Sequence, residues 1–101
     1  MAKIGVLVTS NRHLDQLINF AKAAESLGHS VSIFFTHKGV LLTQESRFPE
    51  LTGKAEMSLC NVGYESNYLK GKPAPGIPPS GFATQARNGA MIEDCERYIV
   101  L

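Results

Sequence analysis

The run Ile4-Gly5-Val6-Leu7-Val8, with the amphipathic stretch and second apolar run behind it, constrains this chain most. A near-continuous apolar run suits a strand covered on both faces, as in parallel sheets. It predicts a first strand from Lys3 to Thr9. Thr9-Ser10-Asn11 is polar and cap-rich, and helical spacing follows from Arg12 to Leu27. Leu14, Leu17, Ile18, Ala21, Ala24 and Leu27 fall on one side, with Asp15, Gln16, Asn19, Lys22 and Glu25 on the other. Gly28 is placed to end the helix as a left-handed cap. Ser30 to Thr36, carrying Val31, Ile33, Phe34 and Phe35, reads as a second strand. A whole helix between two strands implies parallel pairing through a right-handed crossover. The expected fold class is therefore α/β with a mainly parallel sheet.

The remainder extends that plan. His37-Lys38-Gly39-Val40-Leu41-Leu42 reads as a loop with an apolar stub. Thr43 to Gly53 contains helix formers, but Pro49 forbids one uninterrupted helix, so one or two short turns are expected. Ala55 to Cys60 is a third strand of weaker apolar content, suited to a half-exposed or edge position. Asn61 to Leu69 reads as a short helix that Asn61 can cap. Lys70 to Gly81 holds four prolines and is expected to be a loop with a short extended piece near Ile77. Ser80 to Glu96 reads as the last helix, with Gly89 weakening its middle. Arg97 to Leu101 reads as the last strand.

A chain of 101 residues fits one domain, expected to span 1–101. A domain this small buries a modest share of its surface, which makes oligomerisation a reasonable expectation. The formal net charge of +1 gives no reason to expect nucleic acid as partner. No apolar run approaches the ~20 residues needed to span a bilayer. The first residues lack a small-residue cleavage pattern and flow into a strand, so no signal peptide is expected and the cytoplasm is the default location. Two cysteines make no disulfide framework. No CxxC or HxxxH occurs, so no metal is expected. Without a GxGxxG fingerprint or a P-loop, no nucleotide cofactor is expected either.

Chemistry is expected at the carboxyl rim of the sheet, where open parallel sheets bind ligands. Topology brings three loops there, holding Asn11 and His13, His37 and Lys38, and Cys60 and Asn61. A cysteine between a strand end and a helix start has a physical reason to react, because N–H groups and nearby cations stabilise the thiolate. A thiolate can take up sulfane sulfur as a persulfide and surrender it to a partner thiol. Cys60 is thus the candidate catalytic residue, with Asn11, His13, His37, Lys38 and Asn61 as candidate binding residues. The competing reading is that Cys60 is a small buried hydrophobe. A Cys/His hydrolase would need His13 or His37 within hydrogen-bond reach, which sequence does not fix. Cys95, just before the last strand, belongs at the opposite, amino-terminal rim. It reads as a packing residue, out of disulfide reach of Cys60.

The order and spacing of these pieces resemble the DsrE/DsrF-like family of small sulfur-relay proteins, which have the YchN-like fold. The likeness covers most of the chain. It rests on the opening strand–helix unit from Lys3 to Leu27, the passage Phe34-Phe35-Thr36-His37-Lys38-Gly39-Val40, the strand ending in Cys60, and the closing helix and strand. The resemblance implies a three-layer α/β/α sandwich around four to five strands. It also implies a homotrimer or homohexamer, and a sulfurtransferase-type carrier whose persulfide-forming cysteine matches Cys60. Sulfur donor and acceptor proteins would be its partners. The alternative is a non-catalytic oligomeric module that binds a small ligand or a partner at the same rim.

Overall fold

A computed structural model describes residues 2–101. Five strands form one parallel sheet: β1 (Lys3–Val8), β2 (Ser30–Phe35), β3 (Glu56–Cys60), β4 (Phe82–Ala83) and β5 (Arg97–Val100), in the order β4-β3-β2-β1-β5. Three α-helices accompany them: α1 (Leu14–Ser26), α2 (Asn61–Ser66) and α3 (Gln85–Asp94). The α/β class and the parallel sheet agree with the sequence reading, and every strand pair is parallel.

Alternation along the strands assigns the two faces of the sheet. Val6, Val8, Ile33, Phe35 and Leu59 point to one face, where they are fully or almost fully buried. Leu17, Ile18 and Ala21 of α1 close over them, as the helical spacing predicts. Phe48 joins this core edge-on to Phe35, with ring centroids 5.5 Å apart. The other face carries Leu7, Phe34, Cys60 and Tyr98, and α3 supplies Met91 against them.

Several boundaries differ from expectation for physical reasons. The first helix begins at Leu14, and Gly28 follows it at φ 79°, the left-handed geometry expected of its glycine. The segment His37–Gln44 is a 3₁₀ helix rather than a loop with a stub, whereas Phe48–Leu51, with Pro49 in its first turn, is one of the short turns expected there. β3 is interior and largely buried, not a half-exposed strand, because Phe82–Ala83 forms a short strand beyond it. That short strand takes residues expected in the last helix. The helix starts only at Gln85, where the Thr84 hydroxyl accepts the Ala86 N–H at 3.3 Å.

Ion pairs tie the β2–β3 connection to α1. Arg47 bridges Asp15 and Glu50, Lys22 reaches Glu50 at 3.1 Å, and Lys54 reaches Glu25 at 2.9 Å. Hydrogen bonds from Arg47 and then Lys22 hold the Glu50 carboxyl at about 2, below its ordinary 4.5.

A group with a depressed folded pKa adds stability above its unfolded pKa and loses it as the pH falls through the folded one. Glu50→Gln is therefore expected to flatten the acid dependence of urea unfolding between pH 4.5 and about 2. Two glycines should respond oppositely to alanine. A Cβ on Gly39 would lie 2.2 Å from the Val8 carbonyl oxygen, whereas one on Gly89 meets nothing within 4 Å. Gly39→Ala should cost about 2–3 kcal/mol by overpacking. Gly89→Ala should gain about 1 kcal/mol of helix propensity. Urea midpoints measure both.

Candidate active site

Two neighbouring strands create the crevice at Cys60. After β3 the chain enters α2, whose Tyr64 joins the α1-side core. After β4 it enters α3, whose Met91 packs on the opposite face. Adjacent parallel strands whose helices part to opposite faces leave a gap beyond their carboxyl ends. Here the gap is a cleft of about 450 Å³, lined by Thr36, His37, Cys60, Gly63, Thr84 and Gln85. Val62, 72% exposed, stands at its mouth.

Cys60 sits at the floor. It is 6% exposed and packs with Phe34 and Met91. Its Sγ accepts the Gly63 N–H at 3.5 Å, so the thiol itself caps the first turn of α2. Asn61, expected to cap, is instead the first helical residue, and its side chain donates to Glu65 Oε2 at 3.1 Å. The sulfur thus has one backbone N–H directed at it and apolar side chains packed around it.

The crevice has a latch. Gln85 Nε2 donates to Thr36 Oγ1 at 2.8 Å, joining the start of α3 to the end of β2 across the cleft. On the other side, Asn67 Nδ2 donates to the His37 carbonyl at 3.0 Å and to the Gly63 carbonyl at 2.8 Å. His37 is held at φ 50°, a left-handed geometry that a non-glycine residue keeps only when its surroundings fix it.

Of the residues expected around Cys60, the structure brings His37 to the cleft wall. Asn61 turns away and lines a different cleft with Glu65 and Lys70. Asn11 lines a third, beside Asp15, Glu45 and Arg47. His13 is the half-buried residue preceding α1, and Lys38 is exposed; neither lines the Cys60 cleft. The 3₁₀ helix occupies the space after β2 where a loop was expected. Gly39 packs directly on the Val8 carbonyl and closes the carboxyl end of β1. Sequence reasoning missed Thr36, Gly63, Thr84 and Gln85. The T-Q pair before a helical run was a legible cap signal, but it lay inside the expected last helix.

Both cysteines are free. Cys95 is half-exposed at the opposite rim, where Glu96 N–H donates to the Lys3 carbonyl at 2.8 Å. Burial, chiefly, pushes its thiol pKa up. Among the described residues, no group of three His, Cys, Asp or Glu side chains is placed to hold a metal ion, and no helix is long and apolar enough to cross a membrane.

The latch makes Cys60 accessibility testable. In a Cys95→Ser background, Gln85→Ala is expected to raise the rate of Cys60 alkylation by iodoacetamide about threefold or more, as a lost hydrogen bond favours local opening. An unchanged rate shows that the Gln85–Thr36 bond does not gate the thiol. Among known proteins, no family model matches the chain and no curated protein matches it.

Proposed function

We propose that this chain is a small sulfur-relay protein that carries sulfane sulfur as a persulfide on Cys60. The observation that carries this reading is the Cys60 sulfur at a cleft floor on the carboxyl rim, with the Gly63 N–H directed at it. The resemblance to the DsrE/DsrF-like family, with Cys60 at the matching strand end, supports the same role.

The chemistry needs no cofactor. The Cys60 thiolate attacks the outer sulfur of a donor persulfide, R–S–SH. The Cys60 S–S bond forms as the donor S–S bond breaks, and the donor leaves as the thiolate R–S⁻. An acceptor thiolate then attacks the outer sulfur on Cys60 and restores the Cys60 thiolate. The sulfane sulfur changes carrier without net oxidation or reduction. In the charged state, the Gly63 N–H stabilises the anionic sulfur. Opening of the Gln85–Thr36 bond widens access for a donor. Donor and acceptor are proteins in this reading, and the chain acts as a homotrimer or homohexamer.

The second reading is a non-catalytic module that binds a ligand or partner at the same cleft with Cys60 inert. The low exposure of Cys60, packed against Phe34 and Met91, favours it.

One experiment separates the two. Incubation with a persulfide donor followed by intact-mass spectrometry should add a single sulfur to the wild-type chain and none to Cys60→Ser. A thiol acceptor should then remove it. A wild-type chain that gains no sulfur, or a Cys60→Ser chain that gains as much, eliminates the relay in favour of the binding module.

A further inference from the structure

A second cleft, of about 540 Å³, lies between α3 and the sheet at the amino-terminal ends of the strands. It exists because α3 covers so little: Met91 is its one buried residue. The floor beside Met91 is made by Ser32 of β2 and Ser58 of β3. Strands of a parallel sheet covered on both faces are usually aliphatic at such positions. Ser58 is only 7% exposed. Its hydroxyl makes no hydrogen bond to the described residues, yet no fully enclosed side-chain polar atom among them lacks a partner. The Ser58 side chain is therefore largely buried, while its hydroxyl is not fully enclosed and faces the cleft that the residue lines. A polar group held that way is satisfied by whatever enters.

The walls define the chemistry of that occupant. Lys3 and Asp94 neutralise each other in an ion pair. Arg87 donates one bond to the Ser80 carbonyl at 3.1 Å. Among the described residues, Arg87, Glu56 and Glu93 form no ion pair. The cleft thus offers one guanidinium, two carboxylates and two hydroxyls around the apolar Met91. The complementary ligand carries one carboxylate, two cationic groups and an apolar stem.

We propose that this cleft binds a free cationic α-amino acid. Its carboxylate meets Arg87 and the serine hydroxyls, its two cations meet Glu56 and Glu93, and its methylene stem lies along Met91. The site shares no lining residue with the Cys60 cleft and does not depend on the sulfur-relay reading.

The test is a titration of the ¹⁵N-labelled full chain with L-lysine, monitored by amide chemical shifts. Saturable shifts centred on Ser32, Ser58 and Met91 are expected. Lysine should bind at least about fivefold tighter than L-norleucine, which lacks the side-chain cation, or cadaverine, which lacks the carboxylate. Ser58→Ala should weaken lysine about fivefold by removing one hydrogen bond. Arg87→Met should abolish the preference over cadaverine, and Arg87 is exposed, so that variant keeps its fold. No saturation at millimolar lysine, shifts centred on His37 and Cys60 instead, equal binding of all three probes, or wild-type affinity in Arg87→Met overturns the proposal.

Discussion

The space above Cys60 exists because α2 and α3 leave neighbouring parallel strands toward opposite faces of the sheet. If both helices packed on one face, the ends of β3 and β4 would be roofed over, as the end of β1 is roofed by Gly39. β4 is only two residues long, so its contribution is positional. It places Thr84 and Gln85 beside Cys60 and starts α3 on its path to the far edge, where β5 pairs with β1. Tyr64 and Phe82 pack edge to face at 5.1 Å, tying α2 to β4 at that divergence.

The two faces of the sheet are unequal. α1, α2 and the 3₁₀ segments bury one continuous core on the first face, including Leu17, Ile33, Phe35 and Leu59. The second face relies on α3 and a small cluster of Phe34, Cys60 and Met91. Burial of apolar area is the dominant stabilising term at roughly 25 cal/mol per Å², so the first face carries most of the stability. The second carries the Cys60 cleft at one rim and the Ser58 cleft at the other. These two clefts therefore lie on the less tightly packed face, as binding sites often do.

The stable face is also the one the sequence spells out. Leu14, Leu17, Ile18, Ala21 and Ala24 announced α1 by their period, and Gly28 announced its end, because apolar spacing and backbone sterics are local properties. Cys60 at a strand end was legible for the same reason. His37 could be placed at the rim from strand order alone. The partnership of Cys60 with Gln85 and Thr84 could not, since it depends on where α3 crosses the sheet, and the alanine-rich start of that helix hid a two-residue strand. The separation of Asn11 from Cys60 was equally hidden. Asn11 lies in a cleft beside Asp15 and Arg47, while Gly39 packs on the Val8 carbonyl between residues distant in sequence. Period and capping encode elements; the meeting of loops is a tertiary outcome.

The two thiols on the second face have different surroundings. Cys95 is disfavoured as a thiolate first by desolvation, and the neighbouring Asp94 and Glu56 carboxylates push the same way against a partial offset from Lys3. Cys60 is the more buried of the two, but its nearest polar partner is an N–H rather than a carboxylate. That donor is backbone, held by the first turn of α2, so side-chain substitution around the cleft leaves it in place. Greater exposure therefore does not by itself make Cys95 the more reactive thiol. The two thiols thus differ in surroundings: a backbone N–H faces the Cys60 sulfur, whereas carboxylates flank Cys95.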